Sequence, residues 1–219
     1  MLHRRHHHHW LATGAAVVAA LSVAATAEAA ELTAPAARQG YYLGGGVNGV
    51  AVRSVDRDLG AFAAAYGSSY ALRVGEMLTP WLGIGLEVGF GQAQSSRWRS
   101  QFGGLLLDAQ ANVWKNLALH AMAGLGAVMA RDKLGRVASA KGTGGALYGA
   151  GIGYDFFPLH TEGSGGFGIT PSLQGRYCPG SSFHAAMVWV GLDLYWWRGL
   201  DKQELELPAA EAFTGKKQG

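Results

Sequence analysis

From residue 41 onward, apolar positions alternate with small or polar ones at a period of two. The clearest run is WLGIGLEVGFG at 81–91. Leu82, Ile84, Leu86, Val88 and Phe90 share one parity; Gly83, Gly85, Glu87, Gly89 and Gly91 share the other. A β-strand sends alternate side chains to opposite faces, so one face is wholly apolar and the other is glycine plus a carboxylate. In a soluble sheet the apolar face turns inward. Here the opposite face is too small and too glycine-rich for an ordinary solvent face. A narrow membrane barrel inverts the arrangement: large apolar residues meet lipid, and small or polar ones fill the lumen.

Seven further segments fit this template: 41–52, 68–77, 102–114, 117–130, 144–156, 167–177 and 183–197. Leu105, Leu107, Leu117, Leu119, Leu125, Phe167, Ile169, Val188, Val190, Leu192 and Leu194 fall on the outward parity. Arg73, Glu87, Asp108, Gln110, Asn112, His120, Thr170, Ser172, Gln174, Arg176 and Asp193 fall on the inward one. The predicted fold is therefore all-β: an eight-stranded, antiparallel, up-and-down transmembrane β-barrel over residues 40–197. The connections at 78–80 and 115–116 are short, whereas 53–67 and 131–143 read as long charged loops. Short turns in the periplasm and long loops outside are the bacterial pattern. The connection at 158–166 is longer than a tight turn.

Aromatic residues gather at the segment ends. Tyr41, Tyr42, Trp81, Trp114, Trp196 and Trp197, with Phe156 and Phe157, stand at the inner ends. Tyr66, Tyr70, Phe90, Trp98, Phe102, Tyr177 and Phe183 stand near the outer ends. Two aromatic girdles flanking an apolar band match the headgroup levels of a bilayer.

The N-terminus carries an export pattern. Arg4 and Arg5 precede an apolar, alanine-rich run at 11–27, and Ala27-Glu28-Ala29 has the small-x-small pattern of a cleavage site. Ala25-Thr26-Ala27 is a second such site. The expected organisation is a signal peptide at 1–29, a linker at 30–39, the barrel at 40–197 and a polar periplasmic tail at 198–219. The alternative is an uncleaved anchor. The run His6 to His9 lies in the positive region and is removed with it. No other apolar stretch is long enough for a membrane helix. Only helices and closed barrels satisfy every backbone group in lipid.

Composition adds little beyond this. Charged residues are 15% of the chain, Gly numbers 34 and Pro 6. The mature balance of sixteen basic against fourteen acidic residues is too mild for nucleic acid. The single Cys178 excludes an internal disulfide. No spacing of Cys, His and carboxylates points to a metal, and no motif points to a cofactor.

The stretch LTPWLGIGLEVGFG resembles the second hairpin of small outer-membrane barrels of the OmpA-transmembrane and OmpX kind. The ending VGLDLYW resembles the last-strand signal read by the barrel assembly machinery, through Gly191, Leu194 and Trp196. The resemblance covers about residues 40–197 and implies the fold, an outer-membrane location, and outer-membrane lipid, lipopolysaccharide and the assembly machinery as partners. Such barrels end on the final aromatic, whereas this chain continues to residue 219. The oligomeric state is not legible.

The inward charges have two readings. One is a polar pathway or catalytic cluster. The other is a plug of paired side chains, which the narrowness of eight strands favours. His120 near Asp108 offers the pattern of a base held by a carboxylate, but no serine has a clear place beside them. His184, after Ser181 and Ser182, is the one candidate for chemistry at the lipid surface. The expectation is a non-enzymatic barrel with a structural or surface-interaction role. The alternatives are a small-solute pore, a lipid-A-modifying enzyme, and a soluble periplasmic lipocalin-like barrel.

Overall fold

The computed structural model describes residues 38, 40–79, 81–114, 116–137, 140–160 and 165–198. The expected signal peptide, the linker apart from Arg38, and the tail beyond Arg198 lie outside the described residues. Among the described residues ten strands follow one another: β1 (Tyr41–Asp56), β2 (Gly60–Ala61), β3 (Ala65–Met77), β4 (Leu82–Gln94), β5 (Trp98–Trp114), β6 (Leu117–Asp132), β7 (Lys141–Tyr154), β8 (Phe156–His160), β9 (Gly166–Cys178) and β10 (Phe183–Trp197). All but β2 and β8 are long. The long strands pair antiparallel in sequence order, and β10 returns to β1. The result is a closed eight-stranded antiparallel barrel with no free edge.

The alternation of the sequence becomes the alternation of faces. Along β4 the even positions from Ile84 to Phe90 are exposed, and Glu87 between them is fully buried. Hydrogen-bonded rows circle the outside. One runs Val47, Tyr70, Phe90, Gly103, Ala127, Gly144. The next row toward the inner end runs Gly45, Leu72, Val88, Leu105, Leu125, Ala146. These rows carry no charge, as a lipid-facing surface requires. A lipocalin-like reading needs the apolar parity inside, and this barrel has it outside.

The inward glycines are sockets rather than gaps. A Cβ at Gly85 would stand 2.2 Å from Tyr42 Oη, and one at Gly91 would stand 2.6 Å from Phe102 Cζ. These two glycines each admit a large side chain from another strand, so the narrow lumen fills by complementary sizes.

Three expectations need correction. First, 53–67 and 131–143 are not long loops. Alternation persists through Val52, Arg53, Ser54, Val55 and Asp56, so β1 runs on, and β6 runs to Asp132. The outer connections shrink to 57–64, 95–97, 133–140 and 179–182. Strands of 16 and 17 residues exceed the roughly 9–11 that cross a bilayer, so strand itself projects beyond the membrane.

Second, the connection at 158–166 is largely strand. After a break at Asp155, β8 pairs with β9 from Phe156↔Ile169 to His160↔Gly166. Across the break stands Pro171, which has no N–H to give the ladder.

Third, the aromatic girdle is thinner than expected. Tyr41, Trp81, Trp114 and Trp196 are exposed on the outside, but Tyr42 and Trp197 are buried inside at 2% and 1% exposure. Adjacent residues of one strand cannot both face lipid. For the same reason Trp98, Phe102 and Phe183 point inward, leaving Tyr66, Tyr70, Phe90 and Tyr177 outside. A register irregularity between Asn112 and Trp114 turns Trp114 outward against the parity of its strand.

Candidate functional site: a layered lumen

The lumen has three layers. At the outer mouth, the chain after β1 folds back through β2, and the Phe62 amide donates to the Ser54 carbonyl at 2.9 Å. This carries Phe62 over the opening. Its ring stacks on Trp98 with centroids 4.0 Å apart and planes 2° apart, and its edge meets Phe183. Below lie Phe102, Val128, Met187 and Trp189.

The middle layer is ionic. Arg73 on β3 and Glu87 on β4 are directly opposite in register, and Arg73 Nε donates to Glu87 Oε2 at 2.7 Å. Arg73 Nη1 also meets Asp193 Oδ2 at 2.8 Å and donates to Tyr195 Oη at 2.6 Å. Arg176 Nη1 lies 2.6 Å from Glu87 Oε1, and its guanidinium lies 3.6 Å from the Trp189 ring centre. Ser172 Oγ donates to Asp193 at 2.7 Å, and Arg176 Nη2 donates to Gln174 Oε1. Two guanidinium groups and two carboxylates interlock across β3, β4, β9 and β10. Ion pairing and hydrogen bonding offset much of the cost of burying these charges, while Arg73 Nη2, Arg176 Nε and Asp193 Oδ1 are buried with no hydrogen-bond partner among the described residues.

Toward the inner end a second group forms. His120 Nδ1 and Asp108 Oδ2 are 2.9 Å apart, and Gln110 Nε2 donates to Asn112 Oδ1 at 3.2 Å. Asp108, Gln110, Asn112 and His120 belong to this group; Arg73, Glu87, Gln174, Arg176 and Asp193 belong to the first. These nine of the inward candidates thus lie in the lumen, in two clusters.

The inner end is aromatic. Tyr42 packs against Tyr195 and Trp197 with centroids 5.7 and 4.7 Å apart, and Met77 and Phe157 complete the layer. Arg38, just before β1, is fully buried and pairs with Asp155, the residue that breaks β7 from β8. Its Nη2 also donates to the Asn116 carbonyl at 2.9 Å, and Thr170 donates to Asp155. One arginine therefore ties the incoming chain to two inner turns.

Sequence parity passed over several of these partners. Once Val188, Val190, Leu192 and Leu194 face outward, Trp189, Tyr195 and Trp197 must face inward. Arg38 and Phe62 lie outside the alternating segments and carry no such signal.

The catalytic alternatives find little support in this geometry. His120 has its carboxylate, but Ser172 donates to Asp193 instead. His184 faces outward with its ring 6.1 Å from that of Tyr177, and no hydrogen bond joins it to Ser181 or Ser182 among the described residues. Among the same residues no group of three or more His, Cys, Asp or Glu is placed to hold a metal.

Residues 13–191 match the family described as outer membrane protein beta-barrel domain. The chain belongs to that family. Membership places this outer membrane β-barrel in the outer membrane. No curated protein matches the sequence. Among solved structures the barrel is similar to Ail, the attachment invasion locus protein of Yersinia pestis, at 10% identity and a TM-score of 0.53, covering 72% of this chain and 99% of Ail. It is also similar to Neisserial surface protein A, at 14% identity and TM-score 0.46, covering 71% and 97% of the two chains. A third is OprG of Pseudomonas aeruginosa, at 11% and 0.37, covering 72% and 96%. At these identities the likeness concerns the fold alone.

Proposed function

We propose that this outer membrane β-barrel is a closed, non-enzymatic barrel that acts through its outer surface rather than as a conduit. The observation that carries the reading is the filled lumen. An aromatic lid, an ion-paired middle and an aromatic base follow one another along the axis. A cavity of about 10 Å³ between Phe102, Arg176, Met187 and Trp189 has room for about one water. A conducting path needs a continuous wet column, and here charges of both signs neutralise one another instead. The short outer connections put the surface available for contact on the projecting strands. Gly191, Leu194 and Trp196 on β10 supply the signal by which the assembly machinery would fold it.

Single-channel recording in planar bilayers tests the reading. Purified, heat-modifiable protein should give no discrete openings. Reproducible openings of fixed amplitude, absent from mock preparations, would establish the pore instead.

A further inference from the structure

The outward-facing residues of the eight long strands carry an uneven charge. Toward the inner end there is one carboxylate, Glu76. Toward the outer end there are three arginines, Arg53, Arg99 and Arg131, and no carboxylate. Arg53 stands alone, opposite Ala186 of β10. Arg99 of β5 and Arg131 of β6 are direct register partners. Like charges placed directly across a strand pair repel.

The described residues supply this pair with no counter-ion. Among the described residues neither arginine makes an ion pair. The adjacent residue on β6, Asp132, points inward, where it meets Arg97 Nη2 at 3.2 Å and accepts from the amides of Leu134 and Val137. Lys133 and Arg136 in the adjoining connection add positive charge. Arg99 Nη2 donates to Gln92 Oε1 at 2.9 Å. Gln92 sits one row nearer the membrane, so this bond turns the guanidinium down toward the bilayer.

Height decides what the pair meets. The row of Tyr70 and Phe90 closes the apolar band. The next row outward holds Ser68, Gln92, Gln101 and Met129, and the one beyond holds Tyr66, Gln94, Arg99 and Arg131. Apolar, then amide, then cationic is the sequence of environments from acyl chains to headgroups. Guanidinium groups bind phosphate oxygens in pairs of parallel hydrogen bonds. We infer that Arg99 and Arg131 together form a clamp for a phosphate of an outer-leaflet lipid. The inference rests on the outward orientation used under Proposed function, but it does not depend on whether the lumen conducts.

The test is a native mass spectrometry titration of the full mature protein in detergent with bis-phosphorylated lipid A. The same lipid A stripped of its phosphates, and heparin, serve as comparison probes. The variants are Arg99→Gln, Arg131→Gln, the double change, and Arg53→Gln as a lone-arginine control. Heat-modifiable migration establishes that each is folded. One surface cation contributes about fivefold to binding an anionic lipid. Each single change in the clamp should weaken binding about fivefold, the double change by more, and Arg53→Gln little. Wild-type protein should discriminate against the stripped lipid. Equal binding by wild type and the folded double variant overturns the clamp, as does indifference to phosphate. Binding of heparin but not lipid A would overturn it in favour of a soluble polyanion.

Discussion

Glu87 stands between Arg73 and Arg176, within 2.7 and 2.6 Å of their guanidinium nitrogens. Neither arginine is replaceable on the same terms, because Arg73 has further partners in Asp193 and Tyr195, while Arg176 rests on the Trp189 ring.

Removing the shared carboxylate is therefore expected to cost more than removing one cation. Glu87→Ala strands the buried Arg176 guanidinium and leaves Arg73 with Asp193 and Tyr195 alone, and should destabilise by about 3–5 kcal/mol. Arg176→Met leaves Glu87 paired with Arg73 and keeps Trp189 covered, so its loss should be smaller. Urea unfolding of the detergent-folded barrel, read by gel mobility, gives both midpoints. Equal losses would mean that the two arginines do not share Glu87.

Gly85 exists to admit Tyr42. A side chain there meets Tyr42 Oη and, at 2.9 Å, the Val74 carbonyl. Gly85→Val should cost about 1–3 kcal/mol through overpacking. Adding Tyr42→Ala should return part of that loss, since the carbonyl contact remains. A double-mutant cycle in urea would measure the coupling, and strict additivity would rule out the socket.

Phe62 closes the mouth but does not seal the barrel alone. Phe62→Ala should remove a stacking contribution of about 0.5–1.5 kcal/mol beyond area burial. Iodide should then quench more of the fluorescence, and the increment should vanish in a Trp98→Phe background. Conductance should stay absent because the ionic layer lies beneath. Openings in this variant would locate the seal at the lid.

Asp132, at the outer tip above the lipid band, organises the connection that follows it. Burial works against its ionised form, but the amides of Leu134 and Val137 and the Arg97 guanidinium outweigh that, and its carboxyl is held below the usual carboxylate range. A carboxyl depressed on folding stabilises above its unfolded pKa, and that contribution is lost as pH falls through the lowered one. Protease cutting within 133–137 should therefore rise only in acid. Asp132→Asn should cut readily at neutral pH and show little pH dependence. A variant as resistant as wild type would leave the loop without its anchor there.

The alternation along 81–91 was enough to fix strand, parity and the inversion of faces, because a period of two is a local backbone property that survives any tertiary context. Parity likewise sends Glu87, Arg176 and Asp193 inward. Alternation also sends Tyr42 and Trp197 inward, against the girdle that their aromatic character suggests. Which charge meets which was beyond the sequence. Arg73 lies 122 residues from Tyr195 along the chain, and only closure of β10 on β1 brings them together. Arg38 and Phe62 show the same limit from outside the strands, since a residue without periodicity is placed by the partners that the closed barrel happens to offer. Local pattern set each residue's face; the shear and closure of the barrel set its neighbours, because those depend on all eight strands at once.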